Sequence, residues 1–334
     1  MNPTTTPHFT VAEAVHIGKA VFGLTATAVA LPSERDQNFL LTGAAGERHV
    51  LKIAKSDDDR AVLDFQNAAL EYVAGRAPAL AVPRLHPTSS GEPMSQARDR
   101  GGRGHFVRLI GWLEGAMYAA AAPHDAALLA SLGTTVGELD RALQGFAHPA
   151  MHRELRWDLR HADQALAHLS LLPPEQQAVV GQFMQAWRNI DWSALRHGVI
   201  HGDANDYNVL VRGGLVVGLI DFGDLVHSAI ACDLAIALAY AMLVQPQPLN
   251  AAASVTRAYH ARFPLTGAEV AALYPLATAR LCMSLCYAAY NARAKSDDAY
   301  QQVTAAPAWN LLRQLADAPP ARALGAFRNV CGMQ

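Results

Sequence analysis

Two kinds of hydrophobic pattern divide the chain near residue 115. Before that point, apolar residues occur in short runs typical of strands, at 22–31, 39–42, 47–54, 82–88 and 104–113. A helix is predicted over 10–20, with Thr10 as N-cap and Glu13 three positions later, and another over 57–75. The polar segment 89–103 is predicted to be a flexible loop.

The second part of the chain is dominated by Ala- and Leu-rich helical patterns, which one β-hairpin interrupts. The hairpin lies in GVIHGDANDYNVLVRGGLVVGLIDFGD (198–224), where two apolar runs flank Arg-Gly-Gly. Strands first and helices later indicate an α+β fold of two lobes. We place the N-lobe at 1–112, with a small antiparallel sheet, and a mainly helical C-lobe at 113–334. The predicted C-lobe helices are 124–144, 152–170, 174–190, 230–244, 249–261 and 267–293.

Composition narrows the functional classes. The 334 residues are 51% hydrophobic, so the chain can bury a real core, and a formal net charge of −2 argues against nucleic-acid or anionic-membrane partners. The four cysteines form no CxxC pair, which indicates a reducing cytoplasm. The first residues lack a signal-peptide pattern, and the apolar run 229–244 is too short to span a bilayer. Oligomeric state is left open.

Polar residues that suit phosphate chemistry are concentrated in the hairpin region. His201, Asp203, Asn208 and Asp221 lie within 21 positions, and such an oxygen-rich group suits Mg²⁺, which takes few protein ligands and leaves the rest to phosphates and water. Phosphoryl transfer also needs a positioner for the acceptor hydroxyl and a cation on the phosphates. The alternative is an ordinary hairpin whose acidic residues cap turns.

The motifs in this region resemble those of kinases. His-Gly-Asp-Ala-Asn-Asp-Tyr-Asn (201–208) has the spacing of the kinase catalytic loop, and Asp-Phe-Gly follows at 221–223. His-Gly-Asp in place of His-Arg-Asp, without a later Ala-Pro-Glu, points away from protein kinases. The chain resembles the aminoglycoside phosphotransferase and choline kinase superfamily of small-molecule kinases. Within it, VIHGDANDYNVLV, IDFGD and SERDQNF most resemble hydroxylysine kinase and homoserine kinase type II.

This resemblance implies a two-lobed, protein-kinase-like fold and roles for the matched residues. Asp203 would be the catalytic base, and Asn208 and Asp221 would hold Mg²⁺ bound with ATP, or with GTP. His201 and Asp233 would support the catalytic loop.

On the nucleotide side, the resemblance points to Lys52 in HVLKI as the lysine that contacts the phosphates. The alternative is an edge-strand lysine that faces solvent. Its usual partner is a Glu on the next helix; here Gln66 occupies the inward face, while Asp64 stays open as the partner. The loop 31–38, with Ser33, would lie over the phosphates.

On the acceptor side, the candidates are less specific. Asp224 could meet a substrate amine or cap the following helix. Arg280 could clamp a substrate carboxylate or form a salt bridge within the lobe. Trp157 opens a helix near the expected acceptor site, and Trp157, Tyr287 and Tyr290 could form a choline cage only if the fold brings them together.

We therefore predict a kinase that moves the γ-phosphoryl group to the hydroxyl of a small amino alcohol or hydroxy amino acid. An aminoglycoside, choline or ethanolamine kinase is the first alternative. A protein kinase or nucleotide transferase on the same fold, and a catalytically silent nucleotide-binding module, are the others.

Overall fold

The protein was analysed as a computed structural model that describes residues 5–33, 36–293 and 299–334. It folds into two compact units: residues to Glu114 together with His148–Ala150, and Gly115–Ala147 together with Met151–Gln334. The boundary lies two residues after the one predicted from sequence, and a three-residue segment returns to the first unit.

The first unit is a six-stranded antiparallel sheet with two helices. Along the sheet the order is β1-β2-β3-β6-β4, and β5 pairs with the other end of β6. The element bounds are α1 (Val11–Phe22), β1 (Ala26–Leu31), β2 (Gln37–Gly43), β3 (Arg48–Ile53), α2 (Arg60–Arg76), β4 (Leu85–His86), β5 (Ser95–Arg98) and β6 (Gly104–Gly111).

Alternation along the strands builds the core of the first unit. In β3, Leu51 and Ile53 are fully buried, while Lys52 between them lies on the opposite face. Helix α1 covers the apolar face, and its predicted capping box between Thr10 and Glu13 is confirmed. The core consists of Phe9, Ala14, Ile17, Phe22, Phe39, Leu41, Leu51, Ile53, Val107 and Leu109.

The second unit is mainly helical, with two small antiparallel sheets, β10-β9-β7 and β11-β8. Every residue of the apolar helix α5 is buried. The bounds are β7 (Ala116–Met117), α3 (Ala126–Leu143), α4 (Pro174–Arg188), β8 (His197–Ile200), β9 (Val209–Arg212), β10 (Leu215–Leu219), β11 (Val226–Ala229), α5 (Ala231–Met242), α6 (Pro248–Arg262), α7 (Gly267–Arg293), α8 (Ala299–Ala316) and α9 (Pro320–Val330). The predicted α+β fold class is confirmed.

Three local predictions need correction. The predicted helix 152–170 is instead a 3₁₀ segment, Leu159–Leu171, with non-helical backbone at His161. The predicted loop 89–103 contains β5, because its polar residues form an edge strand beside β6. Helices α8 and α9 were not predicted.

One helix within the described ranges, α7, has the length and apolar composition of a membrane span. In the structure, 89% of the most apolar 18-residue stretch of this helix is buried. Arg280, in the middle of this helix, is 2% exposed. Such burial is typical of a core helix.

Candidate active site

The catalytic hairpin brings two of the predicted residues to one end of the second unit. Strands β9 and β10 pair in antiparallel fashion, and the backbone N–H of Ile220 donates to the carbonyl of Asn208 at 2.9 Å. Asn208 precedes β9 and Asp221 follows β10, so both lie where the hairpin opens. Among the described residues, Asp221 is the non-glycine residue with positive φ, at 61°. Such backbone strain is often found at functional sites.

Three side chains hold the Asp203 carboxylate. Its Oδ2 accepts from Asn205 Nδ2 at 2.9 Å and from Asn208 Nδ2 at 2.8 Å. Its Oδ1 accepts from Arg280 Nη2 at 2.5 Å. The Asp203 side chain is 19% exposed, so its orientation is fixed while an edge remains open.

Charges around Asp203 act in opposite directions. Burial raises the pKa of the Asp203 carboxyl above its usual value, and the Arg280 guanidinium lowers it. The nearby Asp224 adds to the rise in this pKa, whereas His201 and the hydrogen bond from Asn205 oppose it. Arg280 therefore favours the ionised form that a base needs.

A second carboxylate holds the backbone of the catalytic loop. Asp233, which is fully buried, accepts from the backbone N–H of His201 at 2.8 Å and of Gly202 at 2.7 Å. The His201 ring accepts at Nδ1 from the Asp203 N–H, and its Nε2 lies 3.1 Å from the Ile220 carbonyl. These contacts are the ones that a loop-supporting role for His201 and Asp233 requires.

Gly202 explains why the motif reads His-Gly-Asp. Its φ is +79°, and a Cβ at this position would lie 2.5 Å from the backbone carbonyl oxygen of Asp224. A side chain is therefore excluded both by backbone conformation and by space. The Asp203 loop and the segment after Asp-Phe-Gly touch at this point.

A buried carboxyl that sequence reasoning missed lies behind Asp233. Asp140, on α3, accepts from the Tyr259 hydroxyl at 2.5 Å and is 2% exposed. Burial raises its pKa well above the usual value, and the charge of Asp233 raises it further. Both effects favour the protonated form of the Asp140 carboxyl. Its signal in the sequence is a lone acid in an otherwise buried helix face.

The predicted acceptor-side residues lie together around Asp203. The Arg280 guanidinium carbon is 4.4 Å from the centre of the Trp157 ring, and Nε lies 3.3 Å from the Tyr240 hydroxyl. Trp157 and Asp224 both line a cavity of about 10 Å³ next to Gly202. Asp224 is 8% exposed. The fold therefore unites three residues that are far apart in sequence.

Aromatic rings next to Trp157 are covered by the protein's own cations. Tyr287 meets Trp157 edge to face, with ring centres 4.8 Å apart. Arg156 lies 3.7 Å from the centre of the Tyr287 ring and 5.6 Å from that of Tyr290. Trp157 and Tyr287 are therefore in contact, Tyr290 lies near the same Arg156, and a guanidinium group lies over one face of Trp157 and of Tyr287.

In the first unit, Lys52 forms an ion pair with Asp36 at 3.4 Å, and both side chains are largely buried. Across the sheet, Lys52 is in register with Arg108 on β6. Arg108 is 4% exposed and donates to Asn67 of α2 at 3.2 Å. Sequence reasoning missed both Asp36 and Arg108, although Arg108, like Lys52, interrupts an apolar strand.

The remaining predictions on the nucleotide side have mixed outcomes. Gln66 is buried on the inward face of α2, as expected. Asp64, the other candidate partner of Lys52, pairs with Arg60 at 3.5 Å. Ser33 is exposed. Positions 34 and 35 of the predicted phosphate loop lie outside the described residues.

Comparisons with known proteins identify the family. The chain matches the phosphotransferase enzyme family over residues 27–274. Hydroxylysine kinase of Mus musculus is 28% identical over 340 residues, covering 93% of this chain and 90% of the relative. Hydroxylysine kinase of Danio rerio is 30% identical over 305 residues, covering 85% and 84%.

A solved structure shows the same fold. Amicoumacin kinase, in complex with AMP-PNP, Ca²⁺ and amicoumacin, superposes with a TM-score of 0.70 at 15% identity, over 92% of this chain and 94% of that one. The two-lobed kinase-like fold predicted from the motifs is confirmed. The chain belongs to the phosphotransferase enzyme family, and the prediction that it is a small-molecule kinase is confirmed.

Proposed function

We propose that this chain transfers the γ-phosphoryl group of ATP, bound with Mg²⁺, to the hydroxyl of a hydroxy amino acid of the hydroxylysine type. The observation that carries the proposal is the Asp203 carboxylate, fixed by three donors and still partly open to a hydroxyl. The long matches to two hydroxylysine kinases support the acceptor class.

Asp203 is the group that orients the acceptor. A hydroxyl that donates to its carboxylate directs an oxygen lone pair towards the γ-phosphorus. It loses its proton to the carboxylate as the new O–P bond forms and the bond from the γ-phosphorus to the bridging oxygen breaks, which releases ADP. Catalysis of this kind depends on position and electrostatics, which the three contacts to Asp203 supply.

Asn208 and Asp221 have the chemistry for Mg²⁺. The Asn208 amide nitrogen donates to the Asp203 backbone carbonyl at 2.9 Å and to its carboxylate, so the amide oxygen faces away. Asp221 is exposed at the same end of the hairpin. No group of three or more His, Cys, Asp or Glu forms a metal site in the described part of the chain. Asn208 and Asp221 would be enough to hold Mg²⁺, because substrate phosphates and water supply most of its ligands, and the bound ion would neutralise phosphate charge.

Lys52 supplies a positive charge for the nucleotide phosphates. Its present partner is Asp36, and phosphate oxygens compete for the same ammonium group. Arg108, in register with Lys52 on the next strand, raises the positive charge of this face of the sheet. Ser33 and Gln66 are proposed as weaker contributors on the nucleotide side.

The acceptor side fits an amino acid better than choline. A quaternary ammonium needs open aromatic faces without a competing cation, and here Arg280 lies over one face of Trp157 while Arg156 lies over one face of Tyr287. Asp224 offers a carboxylate to an acceptor amine, and Arg156 offers positive charge to an acceptor carboxylate. The cysteines are free thiols, which fits the cytoplasmic location we propose.

The test is Mg²⁺-dependent nucleotide consumption, with ATP and with GTP, and with hydroxylysine, homoserine, ethanolamine, choline and an aminoglycoside as acceptors. We expect ATP turnover to be fastest with hydroxylysine and to fall about 10²- to 10⁴-fold in Asp203→Asn. Equal turnover in Asp203→Asn would refute the assigned base. Preference for choline or the aminoglycoside would replace the acceptor class, and nucleotide binding without any transfer would favour a silent module.

A further inference from the structure

We propose that Arg280 is a positioning residue. By holding Oδ1 of Asp203, it determines the one edge of the carboxylate at which an acceptor hydroxyl can donate. This inference rests on the proposed function, and it assigns Arg280 to the base and not to the substrate.

The hydrogen bonds of Asp203 define that edge. A carboxylate offers about four lone-pair positions, two on each oxygen. Asn205 and Asn208 fill both positions on Oδ2, and Arg280 fills one on Oδ1. The remaining position is on Oδ1, beside the guanidinium group. An acceptor hydroxyl on Asp203 must therefore lie next to Arg280.

The surroundings of Arg280 make it a rigid donor. Its side chain is 3% exposed, its guanidinium carbon lies 4.4 Å from the centre of the Trp157 ring, and its Nε donates to the Tyr240 hydroxyl. A guanidinium held on these sides keeps a fixed direction towards Asp203, which a flexible ammonium group would not. Without Arg280, the amides of Asn205 and Asn208 still hold Oδ2 of Asp203, but no side-chain donor holds Oδ1, so the carboxylate can rotate.

A positioning role and a substrate clamp have different kinetic signatures. Loss of a clamp weakens binding of acceptors that carry a carboxylate, so their KM rises. Loss of a positioning residue lowers kcat for every acceptor, because the hydroxyl is misplaced in the transition state. Hydroxylysine and the diamino alcohol that it becomes without its carboxyl group distinguish the two roles.

The experiment compares Arg280→Met and Arg280→Lys with the parent protein on both acceptors. We expect kcat of Arg280→Met to fall about 100-fold with either acceptor, since misplacement by about 1 Å has this effect. The Lys variant should keep more activity, and KM should change little. A rise in KM for hydroxylysine alone, with kcat retained, would overturn the proposal in favour of a clamp.

Arg196→Met is the matched control. Arg196 also pairs with a buried carboxylate, Glu269, at 2.7 Å and lies 4.6 Å from the Phe263 ring centre, but its pair is not with Asp203. We expect it to lower stability and leave kcat of the folded enzyme unchanged. An equal loss of kcat in this variant would mean that any lost arginine pair disturbs the site, which would overturn the assignment.

A crystal structure of Arg280→Met gives a readout that needs no acceptor. We expect the Asp203 carboxylate to turn about its contacts to Asn205 and Asn208. An unmoved carboxylate would overturn the positioning role. Absence of turnover by the parent protein with all acceptors would instead refute the proposed function, so the two failures are distinguishable.

Discussion

Lys52 forms an ion pair in the first unit, Asp203 and Arg280 form one in the second, and the two pairs are built differently. Lys52 and Asp36 are 3.4 Å apart, beyond the usual hydrogen-bond range of about 2.7–3.2 Å. Arg280 and Asp203 are 2.5 Å apart, and two further side-chain donors hold the carboxylate.

The difference matches the tasks that we propose for the two groups. A lysine that binds phosphate has to exchange its partner when the nucleotide arrives, so a longer ion pair is sufficient. A carboxylate that orients a hydroxyl has to keep its direction, so several donors hold it and Asp233 holds the backbone before it. Tight hydrogen bonding therefore marks the group whose direction matters.

The largest effect on turnover should come from a substitution at Gly202, which precedes the tightly hydrogen-bonded Asp203. We expect Gly202→Ala to reduce turnover by about 100-fold, because the new Cβ clashes with the Asp224 carbonyl and displaces the Asp203 loop. Steady-state kinetics and thermal unfolding measure the two effects.

The matched control is Gly214→Ala in the hairpin turn. Gly214 also has positive φ, +74°, but a Cβ there meets nothing within 4 Å. This substitution should lower the free energy of unfolding by about 1–2 kcal/mol, because a residue with a side chain is strained in the left-handed conformation. It should leave turnover unchanged. If both variants lost activity equally, the clash with the Asp224 carbonyl would not be the cause of the loss.

At the longer ion pair in the first unit, Lys52→Met should lower kcat/KM for the nucleotide about 100-fold. Loss of one preorganised electrostatic contact has an effect of this size. The Asp203 contacts lie in the other unit and should not change. Lys19→Met, at an exposed position on α1, is the control. Unchanged kinetics of Lys52→Met would assign Lys52 to the ion pair alone.

Asp36→Asn should have a smaller effect of the opposite sign. It removes the carboxylate that competes with phosphate for the Lys52 ammonium group, so Kd for ATP should fall by no more than about fivefold, as a pair worth at most about 1 kcal/mol allows. Titration of ATP binding by calorimetry measures this change. Weaker ATP binding would indicate that Asp36 positions Lys52.

The smallest effect should be on the free energy of unfolding, and it comes from the buried Asp140. Because burial raises the pKa of Asp140, the folded protein holds this proton to a higher pH than the unfolded chain, which releases it near the ordinary value of 3.8. Asp140 therefore lowers stability increasingly as pH rises above that value. Asp140→Asn removes this titration and keeps an oxygen that can accept from the Tyr259 hydroxyl, so it should raise the free energy of unfolding by about 1 kcal/mol or more at pH 8. A gain equally large at pH 4 would contradict this.

Local signals predicted much of the site. The spacing of residues 201–208 and the Asp-Phe-Gly motif describe one continuous loop and hairpin, and the fold around them follows from strand alternation and helical periodicity. The contact of Arg280 with Asp203 joins residues 77 positions apart, so neither spacing nor periodicity could predict it.

Other buried polar residues could be seen in the sequence only as interruptions of an apolar pattern. Arg108 interrupts an apolar strand and Asp140 a buried helix face, and each signals a buried partner without naming it. Asp36 looked like a turn residue because turns and phosphate-facing loops share the same composition. The 3₁₀ segment Leu159–Leu171 has the hydrophobic spacing of an α-helix, so its hydrogen bonding was not predictable.

The guanidinium groups on Trp157 and Tyr287 also limit how this protein could evolve. A descendant that bound choline on these two ring faces would have to lose Arg156 and Arg280. Loss of Arg280 would also release Asp203, so the step that admits a new acceptor would damage transfer to any acceptor. A change of acceptor class would therefore need a compensating donor for Asp203 before the ring faces could open.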